Sequence, residues 1–90
     1  MVDRHRIYES NDFDEELADE VLKSNDDALF LVALGRPDCP AGLLIDLSQA
    51  PSADVRKAVA AHANTPVVTL RRLANDGAEV VARTASARLA

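Results

Sequence analysis

The chain has 90 residues, a formal net charge of -5 and 48% apolar residues, mostly Ala, Leu and Val, with Tyr8, Phe13 and Phe30 as its aromatics. A chain of this size makes one domain or a few units of a repeat array, and it buries only somewhat more than about 60% of the surface it exposes when unfolded. No run approaches the ~20 apolar residues of a membrane span, MVDRHRIYESND lacks the apolar stretch of a signal peptide, and the single cysteine, Cys39, excludes an intrachain disulfide and a cysteine-ligated zinc or iron-sulfur site.

A cytoplasmic location is the resulting expectation. Charge is unevenly placed: residues 1 to 27 carry ten acids against Arg4, Arg6 and Lys23, which is -7, and the rest carries five acids and seven bases, which is +2. An acidic front therefore precedes a mildly basic body.

Residues 1 to 10 show no periodicity and read as a flexible arm, with Ile7 and Tyr8 able to dock on the first helix. Asn11 or Asp12 is placed to cap a helix of residues 12 to 24, with Glu15 three residues after Asp12 as in a capping box. Phe13, Leu17, Ala18, Val21 and Leu22 form its apolar stripe, and Asp14, Glu15, Glu16, Asp19 and Glu20 crowd the other side. After the turn Ser24-Asn25-Asp26-Asp27, ALFLVALG is apolar on all sides and ends at Gly35, a C-cap residue. Its helix-forming composition and the lack of a second strand favour a helix, the most buried of the set, over a strand.

Pro37-Asp38-Cys39-Pro40 breaks the chain, and Pro40 suits the first position of a helix over about residues 40 to 49 with Leu43, Leu44 and Leu47 inward. Ser52 caps the next helix, carrying Val55, Ala58, Val59 and His62. Thr65 caps and Pro66 begins another, with Val67, Leu70, Leu73 and Ala74 inside. Asn75-Asp76-Gly77 turns the chain into a last helix through Val80, Val81, Arg83, Thr84, Ala85 and Arg88. About six short helices result, all-α, with Leu44, Leu47, Val55, Val59, Leu70 and Leu73 expected in one continuous seam.

The helices repeat. Pro40, Leu44 and Leu47 match Pro66, Leu70 and Leu73 at an offset of 26, and Ala53-Asp54-Val55 matches Ala78-Glu79-Val80 at 25, implying one residue inserted in the earlier copy. A fainter copy supplies Asp27 and Val32 against Asp54 and Val59. A period of about 25 residues describes helix pairs that bury their faces only by stacking on neighbours. The expected organisation is the arm, then one helical-repeat domain over residues 11 to 90: an acidic capping pair (11 to 35) and two repeats (36 to 62 and 63 to 90).

PSADVRKAVAAHANTPVVTLRRLANDGAEV and DCPAGLLIDLSQA resemble the leucine-rich repeat variant, a HEAT-like bacterial unit, through Asp54-Val55-Arg56 and Asn64-Thr65-Pro66 followed by Leu70, Leu73-Ala74 and Asp76. The resemblance covers roughly residues 26 to 90. It implies a short right-handed α-solenoid of stacked helix pairs, alternating α with 3₁₀ or short α helices and serving as an interaction surface. The iron-sulfur cluster that some family members carry in a cysteine-rich N-terminal segment does not transfer, because this front is acidic and cysteine-free. Val81 where Arg56 stands argues against a regular ladder of arginines and for a terminal, capping role in the last copy.

No catalytic constellation stands out. His5 lies in the arm, and His62 ends a helix where its charge would complement the dipole, without a second ligand or nucleophile at useful spacing. There is no nucleophile elbow, phosphate loop or HExxH, so neither enzyme, metal nor cofactor is expected. Cys39 holds the place of Thr65 and reads as a small, half-buried turn residue rather than a reactive thiol.

Two surfaces are candidates for a protein partner. Arg56, Lys57, Arg71, Arg72 and Arg83 could line one face for an acidic peptide or phosphates, or be solvated, with Arg56 paired to Asp54 or Asp76. Glu15, Glu16, Asp19 and Glu20 could dock on a basic surface, such as a DNA-binding protein, as in a small acidic inhibitor, or simply keep the end of the stack soluble. Nucleic acid is disfavoured by the net charge and the lack of exposed aromatics to stack bases. The C-terminal end, ARTASARLA, lacks a polar closing helix and offers a surface for a partner or a second copy. The leading reading is a non-enzymatic protein-interaction module; the alternative is the acidic regulator.

Overall fold

The computed structural model describes residues 6–9 and 11–90. These form seven α-helices and no strand: α1 (Arg6–Glu9), α2 (Glu15–Ser24), α3 (Asp27–Leu34), α4 (Ala41–Leu47), α5 (Ala53–Ala61), α6 (Val67–Leu73) and α7 (Glu79–Leu89). The six helices expected from periodicity are α2 to α7. His5 lies outside the described residues. Within the stretch expected as an arm, α1 is a single turn that buries Ile7 to 2% exposure and leaves Tyr8 in solvent.

The repeat is more regular than the sequence match suggests. Helices α2, α4 and α6 begin at residues 15, 41 and 67, and α3, α5 and α7 at 27, 53 and 79, so each helix recurs after 26 residues. The offset of 25, with its inserted residue, is not realised: Val55 corresponds to Val81, both fully buried, while Val80 is 45% exposed. In the first copy Ala33, not Val32, takes the place of Val59. A shift of one residue turns a side chain by about 100° around the helix, so burial fixes a register that two adjacent apolar residues leave open. Arg56 accordingly corresponds to Ala82 rather than Val81, and no ladder of arginines forms at this position.

The acidic pair α2 and α3 is therefore a first unit in register with the other two, forming a short α-solenoid about 36 Å long. Equivalent positions are buried in each unit. Phe13, Cys39 and Thr65 precede the first helix; Val21, Leu47 and Leu73 line it; Leu29, Val55 and Val81 line the second. All but the polar Thr65 belong to one apolar core that also holds Leu44, Val59 and Leu70, the seam expected from the sequence.

Local signals explain most helix ends, with three corrections. Neither Asn11 nor Asp12 caps α2; Asp14 does, its Oδ1 accepting from Leu17 N–H at 2.8 Å, because the helix begins only after Phe13 has reached the core. Thr65 caps nothing: Pro66 is the N-cap residue of α6, as Pro40 is of α4, and the Thr65 hydroxyl donates to Val59 O at 2.6 Å. Gly35 ends α3 in ordinary right-handed geometry, and the left-handed residue is Asn25 (φ 48°) after α2. Asp26 and Ser52 cap α3 and α5 through their side chains. Helix α3, apolar all round, buries Leu29, Phe30, Ala33 and Leu34 but leaves Leu31 41% exposed.

Polar contacts at the 26-residue period tie the units together. His62 Nδ1 must accept from Asn64 N–H (3.0 Å), because a backbone amide can only donate, so Nε2 carries the proton and donates to Arg36 O (2.7 Å). Arg88, one unit later, donates to Ala60 O and His62 O, and Arg36, one unit earlier, to Ile7 O. Asn64 Nδ2 donates to Pro37 O and Cys39 O. His62, expected to offer a charge to a helix end, is instead a buried bridge between turns.

Candidate protein-binding face

Because the units are in register, the outward positions of their first helices line up. On α2 they are Glu15, Glu16, Asp19 and Glu20; on α4, Ala41, Gly42, Ile45 and Asp46; on α6, Val67, Val68, Arg71 and Arg72. All are exposed except Glu20, which is half-buried. This face runs from four acids, through small and apolar residues with one acid, to apolar residues with two bases. Val68 is 77% exposed and Val67 54%.

The expected base set does not form one stripe. Arg56 is held inside the scaffold: Nε and Nη2 bond Asp76 Oδ2 and Oδ1 at 2.8 and 3.3 Å, and Nη1 donates to Ala50 O and Pro51 O, both at 2.8 Å. Lys57 and Arg83 belong to the second-helix row, around a shallow depression shared with Glu79, the ion-pair partner of Arg83. Arg71 and Arg72 stand on α6, where Arg72 Nη2 reaches back to donate to Ser48 Oγ at the end of α4.

The acidic set divides as well. Arg6 lies 2.7 Å from Glu20 and 4.0 Å from Asp14 and Glu16, which sets part of the acidic charge against a cation. Glu15 and Asp19 turn instead toward α4. With Asp46 they rim a groove of about 420 Å³ whose walls are Ala18, Leu22, Pro40, Gly42 and Leu43. No described residue forms an ion pair with these three carboxylates. Sequence reading missed this groove, because Leu22 and Asp46 become neighbours only once α2 and α4 are set side by side. The 26-residue spacing was the available signal.

Cys39 is fully rather than half buried, since it takes the core position of Phe13 and Thr65. Burial pushes its thiol up to about 12, and Asp38 adds to the shift while Arg36 opposes it. At pH 8, alkylation by iodoacetamide should label Cys39 only after unfolding, the native thiolate being about a thousandfold scarcer than for a free thiol. Rapid labelling of the folded chain would contradict this burial.

No helix among the described residues is long and apolar enough to cross a membrane. Residues 53–77, which comprise α5, α6 and the turns around them, match the family model described as Leucine rich repeat variant, the family the sequence resembles. No match was found among curated proteins or among solved structures.

Proposed function

We propose that this chain, with a leucine-rich repeat variant unit in residues 53–77, is a non-enzymatic cytoplasmic module that binds a protein partner along the outward face of α2, α4 and α6. The observation that carries the reading is the graded face: acids at one end, exposed Ile45, Val67 and Val68 between, and Arg71 with Arg72 at the other. Exposed apolar side chains between opposite charges suit a protein surface, with the charges setting orientation and the apolar residues supplying affinity. A polyanionic nucleic acid would meet the acidic end unfavourably.

Arg56 contributes by holding α5 to the turn before α7, and Lys57 lies off this face. The alternative role, a regulator whose acidic helix docks on a basic protein, is favoured by the carboxylates of Glu15 and Asp19, which Arg6 does not reach within ion-pair distance. In both roles the interaction is with protein. Val80 and Leu89, exposed on α7, are where a second copy would pack if the chain self-associates.

Affinity capture from source-cell lysate with mass spectrometry tests the reading with two variants. Arg71→Glu with Arg72→Glu, and Glu15, Glu16, Asp19 and Glu20→Lys, should each release proteins retained by the native chain. Retention unchanged by both variants, or substrate turnover abolished by a point substitution, would overturn it.

A further inference from the structure

The solenoid carries a clue to what fills the groove between α2 and α4. Two first-helix intervals exist, α2 to α4 and α4 to α6, and corresponding positions in them differ in a telling way. Across the second interval Arg72 reaches from α6 to Ser48 on the flank of α4. One unit earlier, Arg72 is replaced by Asp46 and Ser48 by Leu22, and there the groove is open. A guanidinium bridges one interval; a carboxylate and an apolar wall stand at the same places in the other.

We infer that the groove between α2 and α4 receives an arginine side chain carried on an apolar segment of a partner protein, which enters where the scaffold does not supply an arginine of its own. This deepens the protein-binding reading and rests on it. The chemistry is complementary at each point. The aliphatic stem of arginine packs on Leu22, Leu43 and Pro40, and its planar head meets Glu15, Asp19 and Asp46. Arginine suits the site better than lysine because its fork can bond two carboxylates at once and is more weakly hydrated, so it loses less on leaving water. The apolar flank of the segment would continue onto Ile45, 41% exposed on α4.

The probe is an acetylated, amidated peptide of alternating leucine and arginine, with a control in which citrulline replaces arginine, keeping the shape and removing the charge. Binding to the full chain is measured by calorimetry. Asp19→Asn with Asp46→Asn should weaken the arginine peptide about tenfold, the effect of losing charge-assisted contacts. Asp27→Asn with Asp54→Asn, which changes net charge equally at exposed acids away from the groove, should weaken it less than about twofold. Asp46→Arg should abolish binding by supplying an internal guanidinium, as Arg72 does next door.

Thermal melts confirm that each variant is folded. Equal losses from both asparagine pairs, equal binding of the citrulline peptide, or no binding of the arginine peptide would overturn the inference. If the arginine peptide does not bind the native chain while lysate partners are captured equally by the native chain and by Asp19→Asn with Asp46→Asn, the groove inference falls and the interaction module stands; if nothing is captured at all, the module itself falls.

Discussion

Truncating Leu44 to alanine is expected to remove about 3 kcal/mol of folding stability or more, within the roughly 2–5 kcal/mol range of such large-to-small core changes. Leu44 is fully buried in α4, in the middle unit, with core side chains of the units before and after it in the same cluster. The cavity it leaves is walled by helices fixed at both ends of the stack, so relaxation is limited. For a chain of 90 residues the total stability is on the order of 5–13 kcal/mol, so the loss is a large share of it. At roughly 4–8 °C per kcal/mol, the melting temperature should fall by about 12–24 °C. Leu89→Ala, at a side chain 39% exposed on the terminal helix, should change stability by no more than about 0.5 kcal/mol. Urea titration followed by circular dichroism measures both, and a Leu44→Ala loss below about 1 kcal/mol would show that the seam is not continuous through α4.

The sequence discloses elements better than register, and particular residues show why. Helix α5 is legible because Ser52 supplies a side-chain oxygen before a stripe of Val55 and Val59 at helical spacing, so cap and period agree. Register is lost where neighbours are chemically alike. Val80 and Val81 are identical, and matching letters favours the first, yet only Val81 is enclosed. Val32 likewise outranks Ala33 as a match to Val59, although the smaller residue occupies the buried site. Asp12 and Asp14 are equally good caps in isolation, and the choice falls to Asp14 because Phe13 must first be delivered to the core. These decisions are tertiary, made by what lies across the interface rather than by the residue itself.

The candidate face is legible in the same partial way. The charges at Glu15, Asp19, Arg71 and Arg72 are visible in the sequence, but their common alignment depends on the constant 26-residue spacing of the helix starts. The off-by-one alignment conceals that spacing. It also conceals that the acidic helix is the first of three helices in register. An end that presents charge for solubility and an end that belongs to a binding face look alike in composition. Asp19, Ile45 and Arg71 fall in one row from unit to unit, so the acids continue a face that the next two units extend.

Arg56→Ala should cost about 2 kcal/mol, because a guanidinium only 19% exposed loses its contacts to Asp76 and to two carbonyls, and Asp76 is left without its cation. Asp76 also supports the next helix, since its Oδ1 accepts from Ala78 N–H at 2.8 Å and closes the start of α7, where Ala78 has no capping side chain. Asp76→Ala should therefore cost at least as much as Arg56→Ala, and the double variant should cost less than the sum, with a coupling of about 1–2 kcal/mol. The pair also imposes a pH dependence. The hydrogen bonds from Arg56, with that from Ala78 N–H, hold the Asp76 carboxyl below the usual carboxylate range. A carboxyl whose folded value lies below its unfolded one contributes stability that is complete above the unfolded value, near pH 4, and is lost as pH falls through the folded value. Asp38, lowered beside Arg36, adds a contribution of the same sign. In Asp76→Asn the decline of stability below about pH 4 should be shallower than in the native chain. Parallel acid limbs in the two proteins, with additive single substitutions, would mean that the Arg56–Asp76 contact contributes nothing to holding α5 against the start of α7.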